Sequence, residues 1–404
     1  MTTDCDILIS GGGPAGAALA LALADGRRRV VVVEPRAEPP SGDARATALA
    51  EGSIRLLDAL DAWEELSADA VPIHRVEVSQ QGHFGRTRLD AAAEGVSALG
   101  RVVAYDVLAR VLSERARNAA GVEWQAPAAV TGAMADAEAM TVQLAEPGEG
   151  GATLPARRAR LVIAADGTGS PLRTALAIGT RVHDYEQTAI LADVECAGDP
   201  HTAHERFTAD GPLAVLPAGG ARRTLVWTVP SARAPALLAL GEPAFRAELA
   251  TRLGHDLAPR RLLRPPASYP LRRIEAHYPV AYRACLVGNA ARTLHPVAAQ
   301  GFNLALRDVC ELAAALATVE DPGDEQTLQD WLERRGADQW RTRTFTDLLA
   351  RWFAEGGASA GGLRAGALLG LDLCPAGRHA LAAQNMGLLG RLPRVGRWRL
   401  EPRP

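Results

Sequence analysis

The first 34 residues carry the tightest constraint in the chain. Cys5 to Ser10 is a short apolar run, Gly11-Gly12-Gly13-Pro14-Ala15-Gly16 is a G-x-G-x-x-G turn, and Ala15 to Ala24 reads as an Ala/Leu helix. Val30 to Glu34 adds a second β-branched run that ends on an acid. Strand, glycine turn, helix and strand, in that order, make the βαβ unit of a parallel sheet. In such a unit Gly11 permits the tight turn, Gly13 lets backbone approach a pyrophosphate, and Gly16 lets helix and strand pack closely. The helix N-terminus, with Pro14 and Ala15 in its first turn, offers N–H groups and a positive dipole end to phosphates. Glu34, followed by Pro35, lies 18 residues beyond Gly16. That is near the spacing of about 20 expected of an acid that binds the adenosine ribose. An acid there favours an unphosphorylated ribose, so FAD or NAD rather than NADP. A merely tight turn beside a surface glutamate is the alternative.

Ile7 to Ala24 carries no charge and could pass for a membrane span. Three adjacent glycines and Pro14 inside it suit a strand–turn–helix instead, and Asp4 and Asp6 stand where a signal peptide would be basic. A cytoplasmic protein is expected, with peripheral contact at the inner face of the plasma membrane as an option. With 404 residues and a formal charge of −3, the chain has room for two or three domains and no basic face for nucleic acid. It contains no Lys, which leaves Arg as the only permanent cation for phosphates. Five scattered cysteines, Cys5, Cys196, Cys285, Cys310 and Cys374, never form a C-x-x-C pair, and His201 and His204 lack an H-E-x-x-H acid. No metal site is expected.

Two later segments repeat the pattern of an apolar run ending on a polar residue. Arg160 to Ala165 ends at Asp166, in Asp166-Gly167-Thr168-Gly169-Ser170-Pro171-Leu172-Arg173. By itself an Asp-Gly there is ordinary turn chemistry. Ala284 to Gly288 ends at Asn289 and leads through His295-Pro296 to Gln300-Gly301-Phe302-Asn303 and a long helix from about Phe302 to Val319. Asn289 could hydrogen-bond a ribityl chain, and a helix starting near Gly301 would stabilise negative charge on a reduced flavin. A loop joining a strand to a core helix is the alternative. Between these segments, 182–282 alternates apolar and polar residues, broken by Pro and Gly, and predicts a mostly antiparallel sheet with one helix near Pro243–Leu253. The region after Asp330 reads as helical, with a Gly-rich break over Gly356–Gly362.

Together the three segments resemble the group A flavin monooxygenases, the family of para-hydroxybenzoate hydroxylase. Asp43-Ala44-Arg45-Ala46-Thr47-Ala48-Leu49, Glu205-Arg206-Phe207-Thr208, Gly211-Pro212-Leu213-Ala214 and the run from Leu286 to Pro296 narrow the likeness. They resemble the ubiquinone-biosynthesis hydroxylases, and within these the 2-octaprenyl-6-methoxyphenol hydroxylases. The resemblance implies a mixed α/β fold: a glutathione-reductase-like, Rossmann-type FAD domain with an inserted antiparallel substrate sheet and a helical C-terminus. The expected boundaries are 1–180 and 281–330 for the FAD domain, 181–280 for the substrate domain and 331–404 for the helical region. It also implies roles: the glycines on the pyrophosphate, Glu34 on the ribose, Arg45 near the flavin phosphates, Val130 at the adenine through its backbone, Asp166 in the second contact segment. Asn289 would meet the ribityl or pyrophosphate, and Gln300, Gly301, Phe302 and Asn303 the isoalloxazine. Ala299 departs from the usual Gly before Gln-Gly, and Tyr105, where many relatives carry Gln or Arg, receives no role. His295 is expected to pack or cap the next helix rather than act as a base.

No second G-x-G-x-x-G follows a strand, so no separate nicotinamide domain is expected. By resemblance, NAD(P)H reduces a non-covalent FAD and leaves, O2 adds to give a C4a-hydroperoxide, and an oxygen passes to a polyprenyl phenol, para to its hydroxyl. Hydroxylation of another phenol or ring position, or a non-catalytic flavoprotein subunit of a biosynthetic complex, are the competing readings. The C-terminal run of Arg391, Arg394, Arg397 and Arg399 with Leu392, Val395 and Trp398 could touch anionic lipid or form a solvated helix.

Overall fold

The computed structural model describes residues 3–24, 26–43, 45–354 and 358–393. Its first sheet is centred on Cys5–Ser10, flanked in parallel by Val30–Val33 and by Thr153–Ala164. Val122–Gln125 and Ala284–Leu286 extend it at either side, also in parallel. Parallel strands need cover on both faces, and the strand residues divide accordingly. Ile7, Ile9, Val30, Val32, Leu161 and Ile163 face a cluster shared with the helices Pro14–Leu23, Tyr105–Arg117 and Gln300–Leu316. Leu8, Val31, Val33, Val162 and Ala164 face the opposite way, onto the antiparallel pair Ala129–Ala135 and Met140–Ala145. The uncharged stretch from Ile7 is thus half strand and half helix. No helix among the described residues is long and apolar enough to cross a membrane.

The second sheet is organised on Thr180–Cys196, a 17-residue strand paired antiparallel with Arg222–Pro230 and with Ala267–Ala276. Pro212–Pro217 and Thr202–Phe207 continue it outward. The antiparallel expectation for 182–282 holds, and the predicted helix is Glu242–Leu253, joined by a short unpredicted one, Ala234–Leu238. Thr202–Phe207, however, runs parallel to Arg75–Gln80, which pairs in turn with Arg86–Asp90. Arg292–Thr293 closes the far edge on Ala267–Ala276. Strands of this sheet therefore come from inside the spans expected as 1–180 and 281–330. Alternation marks a strand but not its partner, because pairing is decided by contacts far apart in sequence.

Period-two alternation also sorts the two faces of this sheet. Ile190, Val194, Leu213, Leu225 and Trp227 pack beneath the Glu242–Leu253 helix. Leu191, Ala203, Glu205, Ala214 and Val226 face a cavity instead. Helices Glu325–Ala354, Ala358–Leu373 and Pro375–Asn385 make up the described C-terminal region. The first begins upstream of Asp330. Gly361 and Gly362, expected in a break, are helical, and a Cβ at Gly361 would lie 2.6 Å from His83 Nε2. Gly356 and Gly357 lie outside the described residues, as do Ala44, Arg394, Val395, Arg397, Trp398 and Arg399.

Candidate active site

The three glycines of the first motif answer to different neighbours. Gly11 has φ +103° and a Cβ there would sit 2.6 Å from Ala165 O; a Cβ on Gly16 would sit 1.9 Å from Gly11 O. Both are demanded by the protein's own packing. At Gly13 an added Cβ meets nothing within 4 Å, so that position borders open space. The helix begins at Pro14 with no side-chain cap, leaving its first N–H groups free to face an anion. Glu34 reaches back over this turn: Oε2 accepts the Gly12 N–H at 2.7 Å and Oε1 accepts the Arg36 N–H at 3.0 Å. Gly13, Pro14, Glu34, Tyr105 and Trp124 surround a small recess of about 40 Å³. Pro35 is exposed and lines neither this recess nor the larger cavity described below.

Asp166 is tied to the same turn. Its Oδ2 accepts from Ser10 Oγ at 3.1 Å and from the Leu172 N–H at 3.0 Å, while Oδ1 is buried without a partner. A buried carboxylate oxygen left unpaired costs on the order of 1–3 kcal/mol, so a ligand hydroxyl would meet a ready acceptor. Arg173, buried, donates to Thr168 O and to Ala290 O, both at 2.8 Å, and Thr168 Oγ1 lies 3.0 Å from Thr293 Oγ1. These bonds fasten the second segment to the third. Gly288, at φ +56°, brings the third against the first: a Cβ there would lie 3.2 Å from Ala15 Cβ. All three segments thus meet at the C-terminal ends of parallel strands, where open α/β sheets bind ligands.

Asn289 is exposed on the cavity side. The helix after it starts at Gln300, two residues before the expected Phe302, following two left-handed alanines, Ala298 (φ +60°) and Ala299 (φ +50°). Its N-terminus is uncapped, and a Cβ on Gly301 would meet nothing within 4 Å. Buried Gln300 donates to Ala298 O at 3.1 Å, and its Oε1 has no partner. Phe302 is half-buried against the first core. Asn303 lines the cavity, and its side chain is engaged by protein. Its Oδ1 accepts from Ala50 N–H at 2.9 Å and its Nδ2 donates to Ala48 O and Ala299 O at 2.9 and 2.8 Å. The side chain clasps the helix to the strand Ala46–Ala50 because that strand end needs partners, and it holds the left-handed turn in place.

His295 is buried and braces the loop before the helix. Its Nδ1 accepts the Val297 N–H at 3.2 Å, which leaves Nε2 to donate to Gln187 Oε1 at 3.3 Å. Burial pushes its pKa down to about 4. Arg45 pairs with Asp43 at 2.6 Å and stacks over Tyr105, 4.1 Å from the ring centroid. Tyr105 borders both the small recess and the large cavity. Val130 lies on the edge strand Ala129–Ala135 with its side chain buried.

The large cavity holds about 1000 Å³. Gly301, Asn289 and Arg45 form one end, the second sheet one wall, and Phe345, Leu349 and Leu368 of the C-terminal helices another. Among the cavity residues without a sequence-based role are Tyr105 and Glu205. Tyr105 had no motif signal, whereas Glu205 stood inside E-R-F-T, recognised as a family mark only.

The chain matches the FAD binding domain family over residues 4–346. It is 36% identical over 364 residues to the ubiquinone hydroxylase UbiL of Rhodospirillum rubrum, covering 87% of this chain and 82% of that protein. It is 31% identical over 367 residues to the 3-demethoxyubiquinol 3-hydroxylase of Escherichia coli, covering 87% and 90%. Among solved structures, p-nitrophenol 4-monooxygenase PnpA of Pseudomonas putida superimposes with a TM-score of 0.80 at 19% identity, over 97% of this chain and all of that one. Such identity speaks for the fold alone.

Proposed function

The chain belongs to the FAD-dependent monooxygenases of ubiquinone biosynthesis, and from that premise we propose that it hydroxylates a polyprenyl-methoxyphenol para to the ring hydroxyl. The observation that carries this reading is the cavity of about 1000 Å³, walled by aliphatic side chains and open at one end to the uncapped helix at Gly301. That size is at the upper end for a small-molecule site, and suits a ring with a long apolar tail. Leu348, which lines the cavity, is 53% exposed and marks where a tail would leave. Peripheral contact with a membrane, or membership of a biosynthetic complex, would bring such a substrate to this opening.

FAD, when bound, supplies the reduction of O2 by NAD(P)H that delivers one oxygen atom to the ring and the other to water. The protein holds and orients. The N–H groups of Gly13, Ala15 and Gly16 would hold the pyrophosphate, Glu34 the adenosine ribose, and Val130 the adenine through its backbone. Asp166 Oδ1 would accept from a hydroxyl of the cofactor, Asn289 would meet the ribityl or pyrophosphate, and Arg45 would lie near the phosphates. The free N–H groups at Gly301 and Phe302 would meet the pyrimidine edge of the isoalloxazine, and closure over the cavity would exclude water.

Ring chemistry selects the position. A phenol activates its ortho and para carbons, and in a 2-polyprenyl-6-methoxyphenol both ortho carbons are substituted. The E. coli relative named for position 3 supports a second reading, attack on another ring carbon. Cells lacking the protein should accumulate a polyprenyl-methoxyphenol, and the purified enzyme with labelled O2 should add one labelled atom para to the hydroxyl. Accumulation of an already para-hydroxylated quinone would move the protein to another step, and normal ubiquinone would reject the pathway.

A further inference from the structure

Glu205 is the one carboxylate among the described residues that line the large cavity. It lies on Thr202–Phe207, directly opposite Val78 on one neighbouring strand and Ala214 on the other. The row continues to Thr87 and Val226, so the wall around the carboxyl carries no charge. Among the described residues its side chain makes no hydrogen bond or ion pair, and it is half-buried in the cavity wall. Charged groups nearby are occupied or turned elsewhere. Arg206, the next residue, points to the other face and donates to Arg252 O at 2.6 Å; Glu77 binds Arg88 at 3.2 Å. His204 precedes it on the strand. Across the cavity stand Arg364, Tyr269, Arg272 and His295, together with Arg45 over Tyr105. Among the described residues, the helices Glu325–Ala354 and Pro375–Asn385 contribute uncharged side chains to the lining, such as Phe345, Leu349 and Asn385.

A carboxyl placed in an apolar wall without a partner is costly and is retained where a ligand completes it. The ligand class of this cavity has one donor group. A phenol's hydroxyl donates; its methoxy group can only accept; its tail does neither. We infer that Glu205 receives the substrate's phenolic hydroxyl and takes its proton as the ring is attacked. This rests on the phenol-hydroxylase reading above. As the ring gains oxygen its hydroxyl becomes acidic: the phenolic O–H bond breaks, a new O–H bond forms on Glu205, and the freed electron pair enters the ring from the phenol oxygen. Burial, the sole cause, raises the Glu205 pKa to about 7. The group is therefore half ionised near neutrality, which suits a residue that accepts a proton and then returns it.

The test uses the FAD-loaded enzyme, NADPH or NADH, and 2-geranyl-6-methoxyphenol as probe. In the wild type, kcat and the affinity for the probe should both rise with pH through about 7, because the carboxylate form is the acceptor. Glu205→Gln keeps the shape but not the base. It should bind FAD normally, lose both pH dependences, lower kcat about 100-fold or more with KM little changed, and divert reducing equivalents to hydrogen peroxide. Glu205→Asp should recover part of the pH dependence. A Glu205→Gln enzyme with wild-type kcat and pH profile overturns the inference and leaves the hydroxylase reading standing. Hydroxylation of the probe at another ring carbon, with the same pH dependence lost in Glu205→Gln, supports the inference and sinks the para assignment.

Discussion

Glu34 and Gly12 close the dinucleotide turn on itself: the Glu34 carboxylate accepts the Gly12 N–H at 2.7 Å although 22 residues separate them. One carboxylate oxygen is thereby committed to the turn and the other to Arg36 N–H, and each retains a lone pair for a ribose hydroxyl. The acid therefore shapes the site as well as binding in it.

Glu34→Ala should weaken FAD binding about 10- to 150-fold, the loss of a charge-assisted hydrogen bond worth roughly 1.5–3 kcal/mol. Glu34→Gln, which still accepts from Gly12, should lose less. Fluorescence titration of the apoprotein with FAD measures both, and unchanged affinity in Glu34→Ala would remove the residue from the ribose site.

Gly301→Val should leave folding intact, because an added Cβ meets no protein atom within 4 Å. Its bulk instead enters the cavity beside the free helix N–H groups. The flavin reduction potential should fall, since those groups stabilise the negative reduced ring. Thermal melting of the apoprotein and a redox titration of the holoprotein separate the two effects; an unaltered potential would place the isoalloxazine elsewhere.

Ala298 and Ala299 are consecutive left-handed residues, a conformation that costs a side-chain-bearing residue roughly 1–2 kcal/mol. Ala299→Gly relieves one of them, less the roughly 0.4–1 kcal/mol by which glycine loosens the unfolded chain. A net gain of up to about 1.5 kcal/mol is expected in urea unfolding. Ala299→Val should destabilise the protein by more than that, and equal stabilities for all three would mean the turn is not held left-handed.

His295 imposes a pH dependence on stability. Burial lowers its pKa from 6.5 to about 4, so the unfolded chain binds this proton more readily than the folded one. Stability from the neutral imidazole is complete above pH 6.5, declines as pH falls, and is exhausted near pH 4. The full effect is at most about 3 kcal/mol. Unfolding at fixed FAD concentration should show that decline in the wild type and a flatter profile in His295→Gln. Parallel profiles would show that the imidazole titrates freely in the folded protein.

Much of this protein was legible locally. The strand–turn–helix–strand from Cys5 to Glu34, the run into Asp166 and the run into Asn289 each appear where periodicity and turn residues put them, since those signals are set by neighbours in sequence. Gly11 and Gly16 could be read in the same way, because only glycine tolerates such close backbone approach. What the chain order concealed was assembly across distance. Arg75–Gln80 and Arg86–Asp90 drew no strand reading, and nothing in the chain order hints that they join Thr202–Phe207; without them Glu205 would not face a closed apolar wall. Asn303 stands in a motif, and nothing in that motif shows that its side chain clasps Ala48 and Ala50, more than 250 residues upstream. Local sequence determines where a strand, turn or helix can begin. Which side chains are buried, paired or left with an unmet hydrogen bond depends on what packs against them, and only the tertiary structure decides that.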